Sequence, residues 1–206
     1  MGLLDARAFH KKGDSRRGDI STNSLVPKVI SQPTIIARMV IDSMKVLVTY
    51  TSRTGNTKKV AQAIYEEIEE EKTIKEFDDV TTLDDYDLVF VGFPLENFGP
   101  CEKAKEFLKS FCVGKTIVLF ITHAAPEYLK FVPGWLVKCI EAASESNVGA
   151  VFNCQGELAE DVRQAMLKNP DPMIRFWAEK CSKTKGQPDA ARIERARLFV
   201  REIMKN

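Results

Sequence analysis

From Met44 onward the chain alternates between short apolar runs and segments whose apolar residues recur every three or four positions. Residues 44–50, with Val46, Leu47 and Val48, read as a buried strand that ends in a polar turn. A helix follows, with Val60, Ile64 and Ile68 on one stripe. The run Glu66, Glu67, Glu69, Glu70 and Glu71 reads as its solvated face. Residues 73–77 are predicted to form a short second strand. Residues 87–92 form a third, apolar throughout as a central parallel strand is. A loop over 93–101, punctuated by Pro94, Gly99 and Pro100, leads to a helix that turns Ala104, Phe107, Leu108 and Phe111 inward. Residues 115–121 are a fourth strand. After a loop over 122–133, a helix places Leu136, Ile140 and Ala143 on one face, and 148–153 are a fifth strand.

Strand and helix thus alternate five times, and the strands are too apolar to leave a face in water. The pattern predicts an α/β fold, a doubly wound five-stranded parallel sheet with helices on both sides. The tail is longer than that fold requires. A helix over 157–168, with Leu158, Val162, Ala165 and Met166 inward, is broken at Asn169-Pro170-Asp171-Pro172. An aromatic helix over 173–181 holds Phe176 and Trp177, and Gly186-Gln187-Pro188 breaks the chain again. The last helix starts from Asp189 as N-cap, with Ile193, Ala196, Val200 and Ile203 on one stripe, and is assigned to cover strand five. Residues 155–187 are then a helical insertion. It leaves from the carboxyl end of strand five, the end at which open parallel sheets bind ligands.

The first 43 residues differ from the rest. They are rich in Ser, Thr, Gly, Pro and Asn, carry a net charge of +3 against −2 for 44–206, and read as a disordered leader. Met44 opens the first convincing strand, so the leader is expected to be tag sequence or an upstream mis-assigned start. Its 35–41 segment is the alternative, a short pairing strand. With 44% hydrophobic residues and a net charge of +1, the chain fits neither a basic nucleic-acid binder nor a membrane protein. Five widely spaced cysteines without a CxxC, and no secretory signal pattern, point to a reducing cytoplasm and away from disulfides or zinc. Cys112 and Cys139 read as small buried hydrophobes. Cys154 reads as a packed thiol or as a neighbour of the ligand site.

The sharpest motif is the turn Thr51-Ser52-Arg53-Thr54-Gly55-Asn56-Thr57 between the first strand and the first helix. Hydroxyls and an amide crowd a helix N-terminus, where free backbone N–H groups and the positive end of the helix dipole converge. Such a turn suits a phosphate monoester held by neutral donors. Gly55 permits close backbone approach or a positive φ. A GxxxxGK[ST] nucleotide loop and a GxGxxG dinucleotide turn are absent. The turn has no nucleophilic cysteine, and no strand ends in an acceptor aspartate suited to a response regulator. No Ser-His-Asp set can be assembled from two histidines, one of which is His10 in the leader. The pairs Asp84/Asp85 and Glu157/Glu160 read as helix-start and surface residues.

The run from Tyr50 to Ala61, YTSRTGNTKKVA, resembles the phosphate-binding fingerprint of the flavodoxin family. The resemblance covers most of the chain from Met44 on, and implies the flavodoxin-like strand order 2-1-3-4-5 and FMN as cofactor. It assigns the phosphate to Thr51, Ser52, Arg53, Thr54, Gly55, Asn56 and Thr57. Two further loops would flank the flavin ring. Pro94, Leu95, Glu96, Asn97, Phe98 and Gly99 supply the first, where Phe98 either stacks on the flavin or tucks onto the core. Thr122, His123, Ala124 and Ala125 supply the second, where His123 either meets the flavin or lies idle on the surface. The chain departs from the pattern of simple carriers. Its folded part is only slightly acidic, no aromatic directly follows strand four (Tyr128 and Phe131 are nearest), and the insertion is extra. The tail from Cys154-Gln155-Gly156-Glu157 resembles accessory flavodoxin-like proteins of bilirubin reduction.

The resemblance implies a cytoplasmic electron-transfer protein that passes low-potential electrons from a reductase to an acceptor enzyme. The alternative is an FMN-dependent NAD(P)H oxidoreductase acting on a quinone-like or tetrapyrrole acceptor, with the insertion shaping a substrate pocket. A flavin-free interaction module is a third reading, against which the intact hydroxyl-rich turn argues. No nucleic acid or membrane is expected as partner. Phe176 and Trp177 are candidates for a homodimer contact or for closing over the flavin.

Overall fold

The computed structural model describes residues 44–205; the leader and its 35–41 segment lie outside the described residues. The strands are β1 (Lys45–Tyr50), β2 (Glu71–Glu76), β3 (Leu88–Glu96), β4 (Gly99–Pro100), β5 (Thr116–His123) and β6 (Asn147–Gln155). The helices are α1 (Asn56–Glu67), α2 (Glu102–Phe111), α3 (Val132–Ala142), α4 (Glu160–Leu167), α5 (Pro172–Lys180) and α6 (Ala190–Met204). The sheet runs β2-β1-β3-β5-β6 with every one of these neighbours parallel, while β4 pairs antiparallel with the end of β3. Counted without the two-residue β4, that is the order 2-1-3-4-5.

Side chains alternate across a strand, so each central strand feeds two cores. Val46, Val48, Phe90, Val118, Phe120 and Phe152 face α1 and α6. Leu47, Val89, Val91, Ile117, Leu119 and Ile121 face α2 and α3. β2 is the outer strand beside β1; its alternating charges blunt an edge that would otherwise invite another strand. As expected, α6 covers the last strand: Ala196 and Val200 are fully buried, and the Phe199 ring lies 5.4 Å from that of Phe152.

Three expectations about helix faces change; in α4, Ala165 is exposed rather than inward, because a helix appended beyond the sheet has no core beneath that position. In α3 the inward residues are Val132, Leu136, Cys139 and Ala143, whereas Ile140 is 42% exposed. The helix begins at Val132, and at 3.6 residues per turn that phase brings Cys139, not Ile140, under the helix. The acidic run is not wholly solvated either. Glu66 accepts from Arg197 of α6 at 3.0 Å, and Glu67 pairs with Arg201. The two helices on that face are thus joined by charge as well as by packing.

All five cysteines are free and buried. Cys154 has no exposed surface and belongs to the core beneath α1 and α6, so it is a packed thiol. Burial pushes the thiols of Cys112, Cys139 and Cys154 up to about 12.

Gly92 of β3 packs against Phe120, its register partner on β5. A Cβ at position 92 would lie 2.0 Å from the Phe120 ring. Gly92→Ala is therefore expected to cost about 1–3 kcal/mol of stability in urea unfolding, the usual range for overpacking. The double variant Gly92→Ala/Phe120→Leu should recover part of that loss, and equal stability of Gly92→Ala and the parent protein would contradict the packing.

Candidate functional site

β1 ends at the carboxyl edge of the sheet, between β2 and β3, where the strand order reverses. The Thr51 amide donates to the Gly92 carbonyl at 2.9 Å, which ties the following turn to β3. Gly55 sits at φ 87° immediately before α1, and no side chain caps the helix. The helical ladder begins with Lys59 N donating to Gly55 O at 3.0 Å, so the amides of Asn56, Thr57 and Lys58 precede it. The Ser52 hydroxyl accepts from Gly55 N at 3.1 Å, and the Thr54 hydroxyl accepts from Asn56 Nδ2 at 3.1 Å. A hydroxyl that accepts keeps its own hydrogen to donate. Ser52 and Thr54 therefore each hold a neutral donor beside a bare helix start. That donor set fits an anion of the phosphate type.

Three residues of the turn are engaged elsewhere. Thr57 is buried, with its hydroxyl 2.9 Å from that of Thr122 at the end of β5. Arg53 turns outward and donates to both carboxylate oxygens of Asp161, at 3.0 and 3.4 Å. Asn56 donates a second bond, of 2.7 Å, to the Glu157 carbonyl.

The segment after β3 is not a loop. The strand continues through Phe93, Pro94, Leu95 and Glu96 and folds back as β4, with Leu95 opposite Pro100 and Glu96 opposite Gly99. Asn97 and Phe98 form the turn at φ 48° and 63°, the left-handed pair of a tight hairpin. Asparagine tolerates that conformation; an aromatic residue there is uncommon. Phe98 is 63% exposed and packs its ring against Trp135 of α3, with centroids 5.1 Å apart. It is not tucked onto the core. Pro94 lies opposite Thr122 in the β3–β5 register, next to the turn at 51–57, while Asn97, Phe98 and Gly99 lie towards α3.

β5 also runs two residues past its expected end, so Thr122 and His123 belong to the strand. His123 is 5% exposed rather than on the surface. Its Nδ1 donates to the Ala125 carbonyl at 2.9 Å, and its Nε2 meets the side-chain amide of Asn153 at 3.1 Å. Burial lowers its pKa, against the pull of those two hydrogen bonds. Both ring nitrogens are thus committed to protein, and His123 shapes the segment rather than offering a free group. The Ala124 carbonyl accepts from Gln155 Nε2 at 3.2 Å. β6 includes Gln155, so the insertion starts at Gly156. Its first helix begins only at Glu160, because Ala159 is still extended at ψ 133°; Leu158 N donates to the Thr184 hydroxyl at 3.0 Å.

A charged cluster not singled out above anchors the second segment. Glu127 Oε1 accepts from Gln155 N and from Arg192 Nε, each at 2.9 Å, and Oε2 accepts from Arg195 at 2.9 Å. Burial works against its charge, but the Arg195 and Gln155 hydrogen bonds and the two guanidinium charges hold its carboxyl below the usual range. Asp189 caps α6 by accepting from Arg192 N at 3.0 Å, as its position suggests. The partners of Glu127 on α6 lie more than sixty positions along the chain, and no local pattern signals them. Among the described residues there is no cluster able to hold a metal, and no helix is long and apolar enough to cross a membrane.

An open parallel sheet with a hydroxyl-rich turn at an uncapped helix start, placed where the strand order reverses, defines a doubly wound α/β protein. Residues 47–201 match the flavodoxin domain model, and the chain belongs to the flavodoxin family. It is 34% identical over 171 residues to the flavodoxin-like domain-containing protein BilS of Clostridioides difficile (strain CD3), covering 78% of this chain and 97% of that protein. Among solved structures, a flavodoxin from the domain Archaea is 20% identical, covering 69% of this chain and 99% of that one, with a TM-score of 0.42. Two-electron reduced Megasphaera elsdenii flavodoxin is also 20% identical, over 67% of this chain and 98% of that one, with a TM-score of 0.41.

Two outcomes follow from this geometry. Phe98→Gly should be more stable than Phe98→Ala by about 1 kcal/mol, since both remove the ring and only glycine relaxes the positive φ; equal urea midpoints would contradict the turn. Glu127→Gln should lose about 1–2 kcal/mol at pH 7, the scale of a hydrogen bond to a charged group. The lowered carboxyl stabilises the fold above its ordinary value of 4.5, and that contribution fades as pH falls through its lower folded value. The gap between parent and variant should therefore close in acid. A gap that stays constant from pH 7 down to pH 3 would remove the charge from the explanation.

Proposed function

We propose that this protein binds FMN and carries low-potential electrons from a reductase to an acceptor protein in the cytoplasm. The observation that carries the reading is the turn at 51–57, where Ser52 and Thr54 hold neutral donors beside the unpaired amides that open α1. Bound FMN supplies the redox chemistry; the chain supplies binding, orientation and electrostatics. Ser52, Thr54 and the first amides of α1 would hold the phosphate. Pro94 to Gly99 and Thr122 to Ala125 would flank the ring. Pro94, Leu95, Thr122, Ala124 and Ala125 bring no cation to it, which disfavours negative charge on a reduced ring and favours a low potential. Tyr128 and Phe131, exposed by 85% and 63%, and Phe98 offer apolar side chains for a partner at the same edge. That open arrangement favours a docking carrier over an enzyme with an enclosed substrate pocket. Phe176, with Lys180 over its ring at 5.1 Å, is 46% exposed and available for contact with a second copy.

The test is a visible absorbance spectrum of the purified protein, followed by fluorescence titration with FMN. Flavin bands or saturable quenching are expected. Ser52→Ala/Thr54→Val should weaken FMN by about 100-fold or more, the loss of two hydrogen bonds to a charged group, while circular dichroism stays unchanged. Thr57 is a poorer probe, because its removal orphans the Thr122 hydroxyl. A colourless protein that does not quench FMN would end the cofactor assignment. Steady NAD(P)H oxidation by the isolated holoprotein, with a quinone or tetrapyrrole as acceptor, would replace the carrier with an oxidoreductase.

A further inference from the structure

We infer that the insertion from Gly156 to Gln187 is a clamp on the phosphate turn, anchored by Arg53 and Asn56, so that its docking and the binding of a phosphate monoester are linked. The inference rests on the phosphate reading of residues 51–57 given above.

Three contacts join the two segments, two through Asn56 and one through Arg53. Asn56 Nδ2 carries two hydrogens; one goes to the Thr54 hydroxyl at 3.1 Å and the other to the Glu157 carbonyl at 2.7 Å. A single chain of hydrogen bonds therefore runs from the backbone of the insertion to a hydroxyl of the anion site. The Glu157 carbonyl fixes the Asn56 rotamer, and Asn56, by donating to Thr54, leaves the Thr54 hydrogen as the one aimed outward. Gly156 packs directly on this amide: a Cβ there would lie 2.9 Å from Asn56 Cγ and Nδ2. Arg53, the one charged side chain of the turn, forms a two-pronged pair with Asp161 in the first turn of α4.

The rest of the insertion is built to deliver these contacts. Its two ends are zipped together: Glu157 N donates to Gln187 O at 3.1 Å, Gly186 N donates to the Glu157 carboxylate at 2.9 Å, and Leu158 N donates to Thr184. Its helices bury little. No residue of α4 is fully buried, and in α5 only Ala178 is. A segment with so few apolar anchors opens more easily than the sheet, and its closure depends on polar contacts. Those of Asp161 and the Glu157 carbonyl end on the phosphate turn, that of Gly156 N ends on the His123 carbonyl, and those of Glu157 N, Leu158 and Gly186 close the insertion's own neck. Binding that orders the turn must then favour docking of the insertion, and docking must favour binding by the same factor.

In this arrangement Arg53 and Asp161 are positioning residues, and a charge exchange separates that role from direct contact. FMN affinity would be measured by fluorescence for the parent, Arg53→Glu, Asp161→Arg, Arg53→Glu/Asp161→Arg and Gly156→Ala. Each single charge reversal should weaken FMN by about three- to five-fold, the scale of an exposed ion pair, and the double exchange should restore most of it. Gly156→Ala should weaken it by about ten-fold, since the turn must shift to admit the methyl group. Hydrogen exchange of peptides over 157–185 should be faster in the single variants than in the parent, and slower in the parent once FMN is added. Loss of FMN in Arg53→Glu without rescue, with Asp161→Arg silent, would make Arg53 a phosphate ligand and overturn the clamp. Exchange over 157–185 that ignores FMN, in a parent that binds it, would also overturn the clamp while leaving the cofactor assignment intact. A parent that binds no FMN would overturn both.

Discussion

A parallel sheet must carry its chain back across a face after every strand, so all its strands deliver their carboxyl ends to one edge. That constraint makes the site possible. The turn at Thr51, the hairpin that grows from β3, the end of β5 at Thr122 and the start of the insertion at Gly156 all lie on this edge because the strands that carry them are parallel neighbours. The hydroxyl pair of Thr57 and Thr122 then fixes the first turn of α1 against β5 without exposing a polar group to the core. The apolar faces of the strands supply the cohesion, and the edge they share supplies the chemistry.

Much of this was readable from residue order because its causes are local. Strands such as 88–92 and 117–121 are apolar on both faces, and only a sheet covered on both sides accommodates them. The hydroxyl-rich turn is seven consecutive residues between a strand and an amphipathic helix. What escaped was set by partners distant in sequence. Where β3 ends depends on β4 returning to pair with it, so residues 93–96 look like a loop until the hairpin is seen. His123 has no distinctive neighbours, yet the two further residues of β5 bring its ring inward to meet Asn153. Glu127 and Arg195, like Arg53 and Asp161, meet only through the tertiary fold. Arg53 lies inside the motif in sequence, while its side chain pairs with Asp161 of α4.

The charged contacts divide by location. Those between α1 and α6, Arg197 with Glu66 and Arg201 with Glu67, reinforce a packed helix pair and add little that the core does not already provide. Those around Glu127 hold an irregular segment that has few apolar anchors of its own, and there the geometry depends on them. The insertion follows the second pattern. Extra helices appended beyond a complete sheet have no core left to join, so polar contacts with the turn become their means of attachment.

All five cysteines of this protein, whose proposed work is moving electrons, are buried. A thiol attacks oxidants and disulfides as its thiolate, and with a value near 12 the thiolate of Cys112, Cys139 or Cys154 is about one part in 10⁵ at pH 7. None of the five is exposed, and none is bonded to another. Buried and held as thiols, the sulfur atoms fill space between helices and sheet as small apolar groups, which suits a scaffold proposed to pass electrons onward.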